Sequence, residues 1–359
     1  MSATLHIGHH FFGSGNIGDD YMLAGFLALA ADAIPGARLT CCTPFDRASQ
    51  QHRLPGVTWL DYTDAARDDA IAACDAWIGV GDSPFQSEVG SWFLDHLLAE
   101  RDRCRRFGKP MYFFCVGVND LGAMENPATR AIVESAARIW TRDAQSARLL
   151  SAIVGPDRVS SGPDLANVFF ARRGFGGGEP GTIGFVLNFE DRSAFSAGAL
   201  AEVIDRQIDH ARRVRWCVQE VRSLSGSEWE LLASLPASSR ERLDVRAPDY
   251  GTASLDDLAA CWGVPETVVT SRYHGALFAA WAGSRVVVIE RNAKLTGVVD
   301  QLGLISVKDL SSSEPLLDAI HAARPVDRQR LAELASRVEE CGRELGGFLR
   351  QGGGRSRIQ

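Results

Sequence analysis

The segment TSRYHGALFAAWAG, at residues 270–283, is the strongest candidate for chemistry in this chain. Arg272 and His274 end an apolar run that predicts a buried strand, and Gly275 begins an apolar helical pattern. A guanidinium, an imidazole, the Ser271 hydroxyl and the N–H groups of a helix start together suit a phosphate or a carboxylate. A lone histidine at a strand end is more often structural, but this combination favours an anion-binding site.

A second group of charges follows the next apolar run, VVVIERNAK. Glu290, Arg291 and Lys294 come directly after a predicted strand. Because the carboxyl ends of parallel strands lie at one edge of a sheet, we expect these side chains to border the same site. Lys294, near a predicted helix start, would add positive charge to an anion site, whereas surface salt bridges are the alternative for all three residues.

The N-terminal segment GSGNIGDD matches the pattern G-x-G-x-x-G of dinucleotide-binding turns. Such a site needs an acid about 20 residues further on, whereas the nearest acid after the second predicted strand is Asp46, 28 positions beyond Gly18. Asp19 and Asp20 also place negative charge where a pyrophosphate would rest. We therefore expect a different ligand, with these carboxylates as base or hydroxyl-binding groups; helix capping is the alternative for Asp19. The loop residues predicted to line the site are Gly15, Asn16 and Gly18.

Further polar side chains follow other predicted strands, in the loops GVGDSPFQSE, GVNDLGAMEN, TRDAQS and SGPDLANVF. Their shared position at strand carboxyl ends makes them candidates for a ligand pocket. Helix capping by Arg142 with its neighbour Asp143, and a turn at Asp164, are the structural alternatives. The candidates are Asp82, Ser83, Asn119, Arg142 and Asp164.

Composition excludes several classes of function. The chain has 359 residues and a formal net charge of −7, which argues against broad affinity for nucleic acid or anionic membranes. Its eight cysteines lie mostly in apolar runs without a C-x-x-C, which favours buried free thiols over a metal site or disulfides. The N-terminus has no signal-peptide pattern, and no apolar run reaches the roughly 18 residues of a membrane span. These features predict a cytoplasmic protein.

Short apolar runs alternate with helical patterns along the whole chain, as expected for parallel sheets covered by helices on both faces. The glycine-rich segment ARRGFGGGEPG interrupts this alternation and predicts a linker at residues 171–181. We expect an N-terminal α/β domain at 1–170 and a C-terminal α/β domain at 182–326. Residues 327–359 predict a long helix that packs back on the first domain and ends in a frayed tail. The fold class is α/β, with two Rossmann-like domains facing a central cleft.

Four of these segments, taken in order, resemble the polysaccharide pyruvyl transferases. That family has G-N-x-G-D near its start, R-D-x-x-S in mid-chain, an aspartate-alanine turn, and S-R-x-H-x-x-x-x-A followed by a lysine. The matching segments are GSGNIGDDYMLAGF, TRDAQSARLL, GPDLANVF and SRYHGALFAAWAGSRVVVIERNAKLTGVVDQLG. The aspartate-alanine turn is approximated by Asp164-Leu165-Ala166. Two loops, at Gly79–Ser83 and Gly117–Gly122, depart from the family pattern.

The resemblance implies a fold like glycosyltransferase B, with phosphoenolpyruvate as the donor and a sugar-containing acceptor. By this resemblance the first domain carries the acceptor-side glycine loop and the second binds the donor. Arg272 and His274 match the S-R-x-H motif, and Lys294 matches the trailing lysine. Donor binding is therefore expected from Arg272, Lys294, Ser271 and the Gly275 helix start.

The expected reaction needs no metal and no redox cofactor, with phosphoenolpyruvate as co-substrate. His274 would protonate the donor, and Asp19 or Asp20 would accept the proton of the attacking hydroxyl. Two alternatives remain at this stage: a glycosyltransferase that uses a nucleotide sugar, and a non-catalytic family member that binds a sugar phosphate. The expected partners are small molecules, with no nucleic acid. The sequence assigns no oligomeric state and allows peripheral contact of the terminal helix with a membrane.

Overall fold

In a computed structural model the chain folds as two units, each of which is built from more than one segment of the sequence. Unit 1 comprises Met1–Ser14, Asp19–Phe169 and Glu333–Gln359, and unit 2 comprises Gly15–Gly18 and Phe170–Ala332. The described residues are 3–8, 12–86, 91–118, 122–189, 196–210, 212–222 and 227–351.

Unit 1 is built on a parallel sheet, which has seven strands in the described part of the chain. Its strands are β1 Thr4–Ile7, β2 Arg38–Thr43, β3 Thr58–Asp61, β4 Ala76–Val80, β5 Met111–Val116, β6 Arg138–Thr141 and β7 Val159–Ser161. They are arranged in the order β3-β2-β1-β4-β5-β6-β7, and every pairing is parallel. The central strands β4 and β5 are buried throughout, as expected for a sheet covered on both faces.

The helices of unit 1 connect these strands. They are α1 Ile17–Ala33, α2 Arg47–Arg53, α3 Asp64–Ala73, α4 Trp92–Arg106, α5 Pro127–Ser135 and α6 Ala144–Val154. Helix α7, Ala166–Arg173, follows β7 and belongs to unit 1 only as far as Phe169. Short 3₁₀ turns occupy Gly122–Glu125 and Pro156–Arg158. The C-terminal helix α15, Arg328–Arg350, contributes its residues from Glu333 onward to this unit. There the Trp140 indole donates to Glu344 over 2.9 Å.

Unit 2 repeats the same architecture on a parallel sheet of six described strands. These are β8 Glu179–Val186, β9 Arg213–Cys217, β10 Asp244–Arg246, β11 Pro265–Thr270, β12 Arg285–Ile289 and β13 Ile305–Val307. Their order is β10-β9-β8-β11-β12-β13 with parallel pairing. The helices are α8 Ala197–Asp209, α9 Glu228–Ser234, α10 Ala237–Arg240, α11 Leu255–Cys261, α12 Tyr273–Ala282, α13 Ala293–Leu302 and α14 Glu314–Ala322.

Sequence and structure differ mainly at the ends of elements. The segment 171–181, expected to be a linker, includes the end of α7 at Arg173 and the start of β8 at Glu179. Ser227 lies at the N-cap of α9, but its hydroxyl makes no capping hydrogen bond. The elements that were not expected include α2, β7, α10, β13 and α14. Of these, α2 and β7 have too few apolar residues to show a periodic pattern.

Both sheets reverse their strand order near the middle, between β1 and β4 in unit 1 and between β8 and β11 in unit 2. In open α/β sheets such switch points open a crevice at the carboxyl ends of the strands, where ligands bind. Ser83 follows β4, and Arg272 follows β11. The topology therefore brings candidates from the sequence to the switch point of each sheet.

All eight cysteines are free thiols, and seven of them are buried. Burial raises the pKa of the Cys74 thiol to about 11. Among the described helices, none combines the length and the apolar character needed to cross a bilayer.

Candidate active site

The carboxyl end of β11 is fixed to the end of β8 by short hydrogen bonds. The Ser271 hydroxyl donates to the Asn188 carbonyl over 2.7 Å and accepts from the Asn188 N–H over 2.7 Å. The Thr270 hydroxyl donates to the Val186 carbonyl over 2.9 Å. Ser271, expected to bind the donor, is therefore engaged in holding two strand ends together, which positions the residues that follow it.

Arg272 is held by a carboxylate that the sequence did not reveal. Its Nε and Nη2 donate to the two carboxylate oxygens of Glu228 over 2.9 and 2.7 Å. Glu228 is fully buried, and the Arg272 side chain is 15% exposed. This bidentate pair uses two of the five N–H donors of the guanidinium and fixes the plane of the other three.

His274 lies in the first turn of α12 and is almost entirely buried. Its ring packs on the backbone of Gly18, where a Cβ atom would stand only 2.1 Å from the histidine Nδ1. Glycine is thus required at position 18 by this close approach. The first family motif and the S-R-x-H motif therefore meet inside unit 2.

The glycine-loop residues 15–18 add a short antiparallel bridge beyond β9. Val221 N–H donates to the Gly15 carbonyl over 3.0 Å, and Ile17 N–H donates to the Gln219 carbonyl over 3.2 Å. Asn16 pairs with Glu220 in this bridge. The Asn16 side-chain oxygen accepts from the Gly18 N–H and from the Gln219 amide, each over 3.2 Å. Asn16 therefore fixes the loop that touches His274.

The start of α12 packs closely against β11 and β8. A Cβ at Gly275 would lie 2.6 Å from the Thr270 hydroxyl and 3.2 Å from Val186. All ten residues of the helix are buried, from Tyr273 to Ala282. Gly275 thus lets the helix begin directly at the strand end, which brings its first N–H groups to the carboxyl edge of the sheet.

Of the three charged residues that follow β12, Arg291 and Lys294 lie next to this strand end, and Glu290 faces β13. Arg291 Nε donates to the Ser271 carbonyl over 3.3 Å, and Lys294 Nζ stands 5.3 Å from the centre of the Tyr273 ring. Glu290 accepts from Thr296 over 2.5 Å and from Ser306. Burial acts to raise the Glu290 pKa, but these two hydrogen bonds outweigh it, and the pKa is lowered. Arg291 and Lys294 therefore border the β11 end.

In unit 1, Arg142 is buried behind the strand ends. Its Nη2 donates to the Ser83 hydroxyl over 2.6 Å, and its Nη1 lies 3.6 Å from Asp164 Oδ2. The Arg142 side chain is 2% exposed and that of Asp164 is fully buried. A Cβ at Gly117 would lie 2.5 Å from Arg142 Nε. Three sequence candidates from three loops thus form one buried cluster.

The remaining residues of the R-D-x-x-S motif have structural roles. Asp143 caps α6 by accepting from the Ser146 N–H over 2.7 Å. The Ser146 hydroxyl accepts from the Val118 N–H over 2.9 Å. The predicted helix cap is therefore present at Asp143. Asn119, another candidate, lies outside the described residues.

Asp82 lies in a strained turn at the end of β4. Its φ of +59° is in the left-handed region that non-glycine residues rarely adopt. Cys115, on the adjacent strand β5, has a φ of +56° beside an irregularity in the pairing of β5 with β6. Gly117 N–H donates to the Asp82 carbonyl over 2.6 Å, which links the two strained positions. Strain of this kind is often found at functional sites.

The two acids of the glycine loop differ in their surroundings. Asp20 is fully buried, accepts from the Gly13 N–H over 3.1 Å and lies 3.7 Å from Arg53. These contacts connect Asp20 to its own loop and to the end of α2. Asp19 is 7% exposed and directly follows Gly18 in the chain.

A buried polar network supports the end of β1 in unit 1. His96 Nε2 lies 2.9 Å from the Gly8 carbonyl, so this nitrogen carries a proton. His96 Nδ1 lies 3.2 Å from Arg67 Nη2, which can only donate, so the imidazole is neutral. Arg67 in turn donates to Glu100 over 2.9 and 2.7 Å. Nearby, burial is the main cause that lowers the pKa of His6 to about 4.

Sequence reasoning missed Gln219 and Glu228 as members of the site. Both lie in segments whose strand and helix patterns were recognised, but neither has a motif around it. For Gln219, the only signal in the sequence was its position after the carboxyl end of a strand. It follows β9 just as Arg272 follows β11. A buried Glu228 is also unusual, since buried carboxylates are normally paired.

Comparison with known proteins supports both the family and the fold. The model of the family described as "Polysaccharide pyruvyl transferase" matches residues 16–292, which confirms the resemblance seen in the sequence. Among curated proteins, none matches this chain in sequence.

Solved structures show the same α/β architecture at low identity. A UDP-GlcNAc 2-epimerase from Methanocaldococcus jannaschii is 10% identical with a TM-score of 0.63, covering 98% of this chain and 100% of that chain. A UDP-GlcNAc 2-epimerase from Neisseria meningitidis, bound to UDP-GlcNAc, is 9% identical with a TM-score of 0.61, covering 98% and 100%. Anabaena Alr3699/HepE in complex with UDP and glucose is 10% identical with a TM-score of 0.58, covering 97% and 100%. These likenesses confirm the glycosyltransferase-B type of fold with two Rossmann-like sheets.

Proposed function

Because the chain belongs to the polysaccharide pyruvyl transferase family, we propose that it moves the pyruvyl group of phosphoenolpyruvate onto hydroxyls of a sugar-containing acceptor. The products are a pyruvate ketal and inorganic phosphate. One observation carries the proposal: Arg272, His274, Lys294 and the start of α12 converge at the end of β11 in unit 2. We keep a cytoplasmic location as a prediction.

The donor carries a phosphate and a carboxylate, so its site needs several cations and N–H donors. Glu228 balances the charge of Arg272 while it orients the remaining donors of the guanidinium. The positive charges of Arg291 and Lys294 then add to the N–H groups of the α12 start. Phosphoenolpyruvate has two separate anionic groups, and it therefore suits a site in which cations follow two adjacent strands.

His274 is proposed to protonate C3 of the donor double bond, which leaves a cationic centre at C2. An acceptor hydroxyl bonds to C2 and gives up its proton to a carboxylate. The C2–O bond to phosphate then breaks, and phosphate leaves with the bonding electrons. A second hydroxyl bonds to C2 and gives its proton to the released phosphate. The balance is one phosphoenolpyruvate and one diol consumed, with one ketal and one phosphate formed.

Asp19 is the better candidate for the base of the first attack. Asp20 already accepts from the Gly13 backbone and faces Arg53. Asp19 follows Gly18, whose backbone touches the His274 ring. Of the two carboxylates that the sequence suggested as the base, we therefore propose Asp19.

The test is phosphate release from phosphoenolpyruvate in the presence of a panel of methyl glycosides that carry free diols. We expect one phosphate per donor consumed and a new ketal methyl signal in the NMR spectrum of the product. Calorimetry with phosphoenolpyruvate and with a panel of nucleotide sugars separates the alternatives. Binding of a nucleotide sugar without phosphoenolpyruvate would favour a glycosyltransferase, and donor binding without phosphate release would favour a non-catalytic member.

A further inference from the structure

Gln219, directly after β9, is a buried residue whose side chain is only partly satisfied. It is 2% exposed, and its amide nitrogen donates to Asn16 Oδ1 over 3.2 Å. The same Asn16 oxygen accepts from the Gly18 N–H, so that atom is an acceptor and Gln219 must present its NH₂ group to it. This fixes the orientation of the amide and leaves Gln219 Oε1 as an acceptor.

Within the residues that the structure describes, Gln219 Oε1 is buried and has no hydrogen-bond partner. An unsatisfied buried acceptor destabilises the fold, so native proteins rarely keep one without a reason. A second atom of this kind, the Ser227 hydroxyl, lies at the start of α9 next to Glu228.

The backbone of Gln219 ties it to both halves of the candidate site. Its N–H donates to Glu228 Oε1 over 3.3 Å, the same oxygen that accepts from Arg272 Nε over 2.9 Å. Its carbonyl accepts from Ile17, next to the Gly18 backbone that touches the His274 ring. The amide therefore lies beside the residues proposed to bind and protonate the donor.

The chemistry of Oε1 decides which substrate it can meet. An amide oxygen only accepts hydrogen bonds, and so do the carboxylate and the ionised phosphate of phosphoenolpyruvate. A sugar hydroxyl, by contrast, can donate. We propose that Gln219 Oε1 accepts a hydrogen bond from a hydroxyl of the acceptor sugar and so selects and orients it. This inference rests on the proposed function and adds a specificity residue for the acceptor.

The test compares Gln219→Met with a matched control, Thr267→Val. Thr267 is also fully buried in unit 2 with a hydroxyl that has no partner in the described chain, but it lies within β11 rather than at its end. Calorimetry measures the Kd for phosphoenolpyruvate and, separately, for methyl glycosides of galactose, glucose and mannose. We expect Gln219→Met to raise the glycoside Kd about tenfold, the equivalent of one hydrogen bond, with the phosphoenolpyruvate Kd and all values for Thr267→Val unchanged.

Gln219→Asn provides a second variant, because it keeps an uncharged amide oxygen but withdraws it by one methylene group. Its glycoside Kd should lie closer to that of the wild type than the Kd of Gln219→Met, and it remains informative if the methionine variant does not fold. The proposal is overturned by an unchanged glycoside Kd in Gln219→Met, by an equal loss of affinity for phosphoenolpyruvate, or by a wild type that binds no glycoside. A wild type that binds a glycoside but not phosphoenolpyruvate would instead refute the proposed function and leave the role of Gln219 standing.

Discussion

Two arginines at strand carboxyl ends, one in each unit, have contrasting environments. Arg272, after β11, makes two hydrogen bonds of 2.9 and 2.7 Å to Glu228, and its side chain is 15% exposed. Arg142, after β6, donates to the Ser83 hydroxyl over 2.6 Å, lies 3.6 Å from Asp164, and is 2% exposed. Of these two arginines, Arg272 follows a strand at the switch point of its sheet and is oriented and partly exposed, whereas Arg142 follows a strand nearer the sheet edge and is enclosed.

The difference indicates that the two arginines have different roles. A bidentate pair fixes a guanidinium while part of it stays accessible, which suits recognition of an anion. An enclosed guanidinium wedged against Gly117 instead supports the loops around it. We expect direct ligand contact from Arg272 and a supporting role for Arg142 in this conformation. The following predictions test that division.

The largest effect should come from His274 in unit 2. His274→Gln keeps the side-chain volume but removes the proposed acid, so phosphate release should fall by about 10³-fold, within the usual range for general acid catalysis. The measurement is the rate of phosphate release from phosphoenolpyruvate with a responding glycoside. The melting temperature serves as the control for folding, and near-normal turnover would remove His274 from the mechanism.

The arginine comparison itself is tested by Arg272→Ala against Arg142→Ala. Each change leaves a buried carboxylate uncompensated and should lower the free energy of unfolding by about 3–5 kcal/mol. Only Arg272→Ala should also raise the Kd for phosphoenolpyruvate, by about tenfold or more, since hydrogen bonds to charged groups contribute about 1.5–3 kcal/mol.

Calorimetry at low temperature, where the variants are folded, measures the Kd for phosphoenolpyruvate of Arg272→Ala and of Arg142→Ala. The double variant Arg272→Ala with Glu228→Gln should recover part of the lost stability, because it removes the unpaired charge. A weaker donor affinity in Arg142→Ala alone would reverse the division of roles.

Acid should destabilise unit 1 through His6. Burial lowers the pKa of His6 in the folded protein to about 4, below the ordinary value of 6.5. Its contribution to stability is therefore present above pH 6.5 and is lost as the pH falls from 6.5 to 4, where only the unfolded chain binds the proton. The loss should be about 3 kcal/mol over that window, from about 1.4 kcal/mol per pH unit.

Denaturant unfolding at a series of pH values measures this loss. His6→Gln should flatten the pH dependence between 6.5 and 4. The exposed His52 of the same unit offers a matched control, and His52→Gln should leave the profile unchanged. An identical slope in the wild type and His6→Gln would contradict the assignment.

The smallest effects are expected from alanine substitutions at two glycines of unit 2, Gly18 and Gly297. Gly18→Ala would place a methyl group 2.1 Å from His274 Nδ1, so the ring must move and turnover should fall. Gly297→Ala, in α13, meets no atom within 4 Å and should stabilise the protein by about 0.5–1 kcal/mol. Thermal unfolding and phosphate release on both variants give the comparison. Equal activity in the two would mean that the contact with Gly18 does not position His274.

Local pattern was enough to predict most of the fold. The buried run in β5, the apolar residues of α1 and the Ser254 cap of α11 each depend on residues close together in the chain. The four ordered motifs likewise indicated the family that the comparison confirmed. By contrast, α2 was missed, since its seven residues, RASQQHR, carry no apolar stripe.

The sequence by itself determined the alternation of strands and helices, the chemical types at each strand end and the family. Only the tertiary structure decided which of these groups meet. Arg272 pairs with Glu228 from 44 positions away, and Gln219 meets Asn16 from 203 positions away. Such contacts depend on strand order and loop closure rather than on neighbouring residues, and no local pattern encodes them. The same physical reason applies to Asp20, whose contacts with the Gly13 backbone and with Arg53 no local pattern indicated.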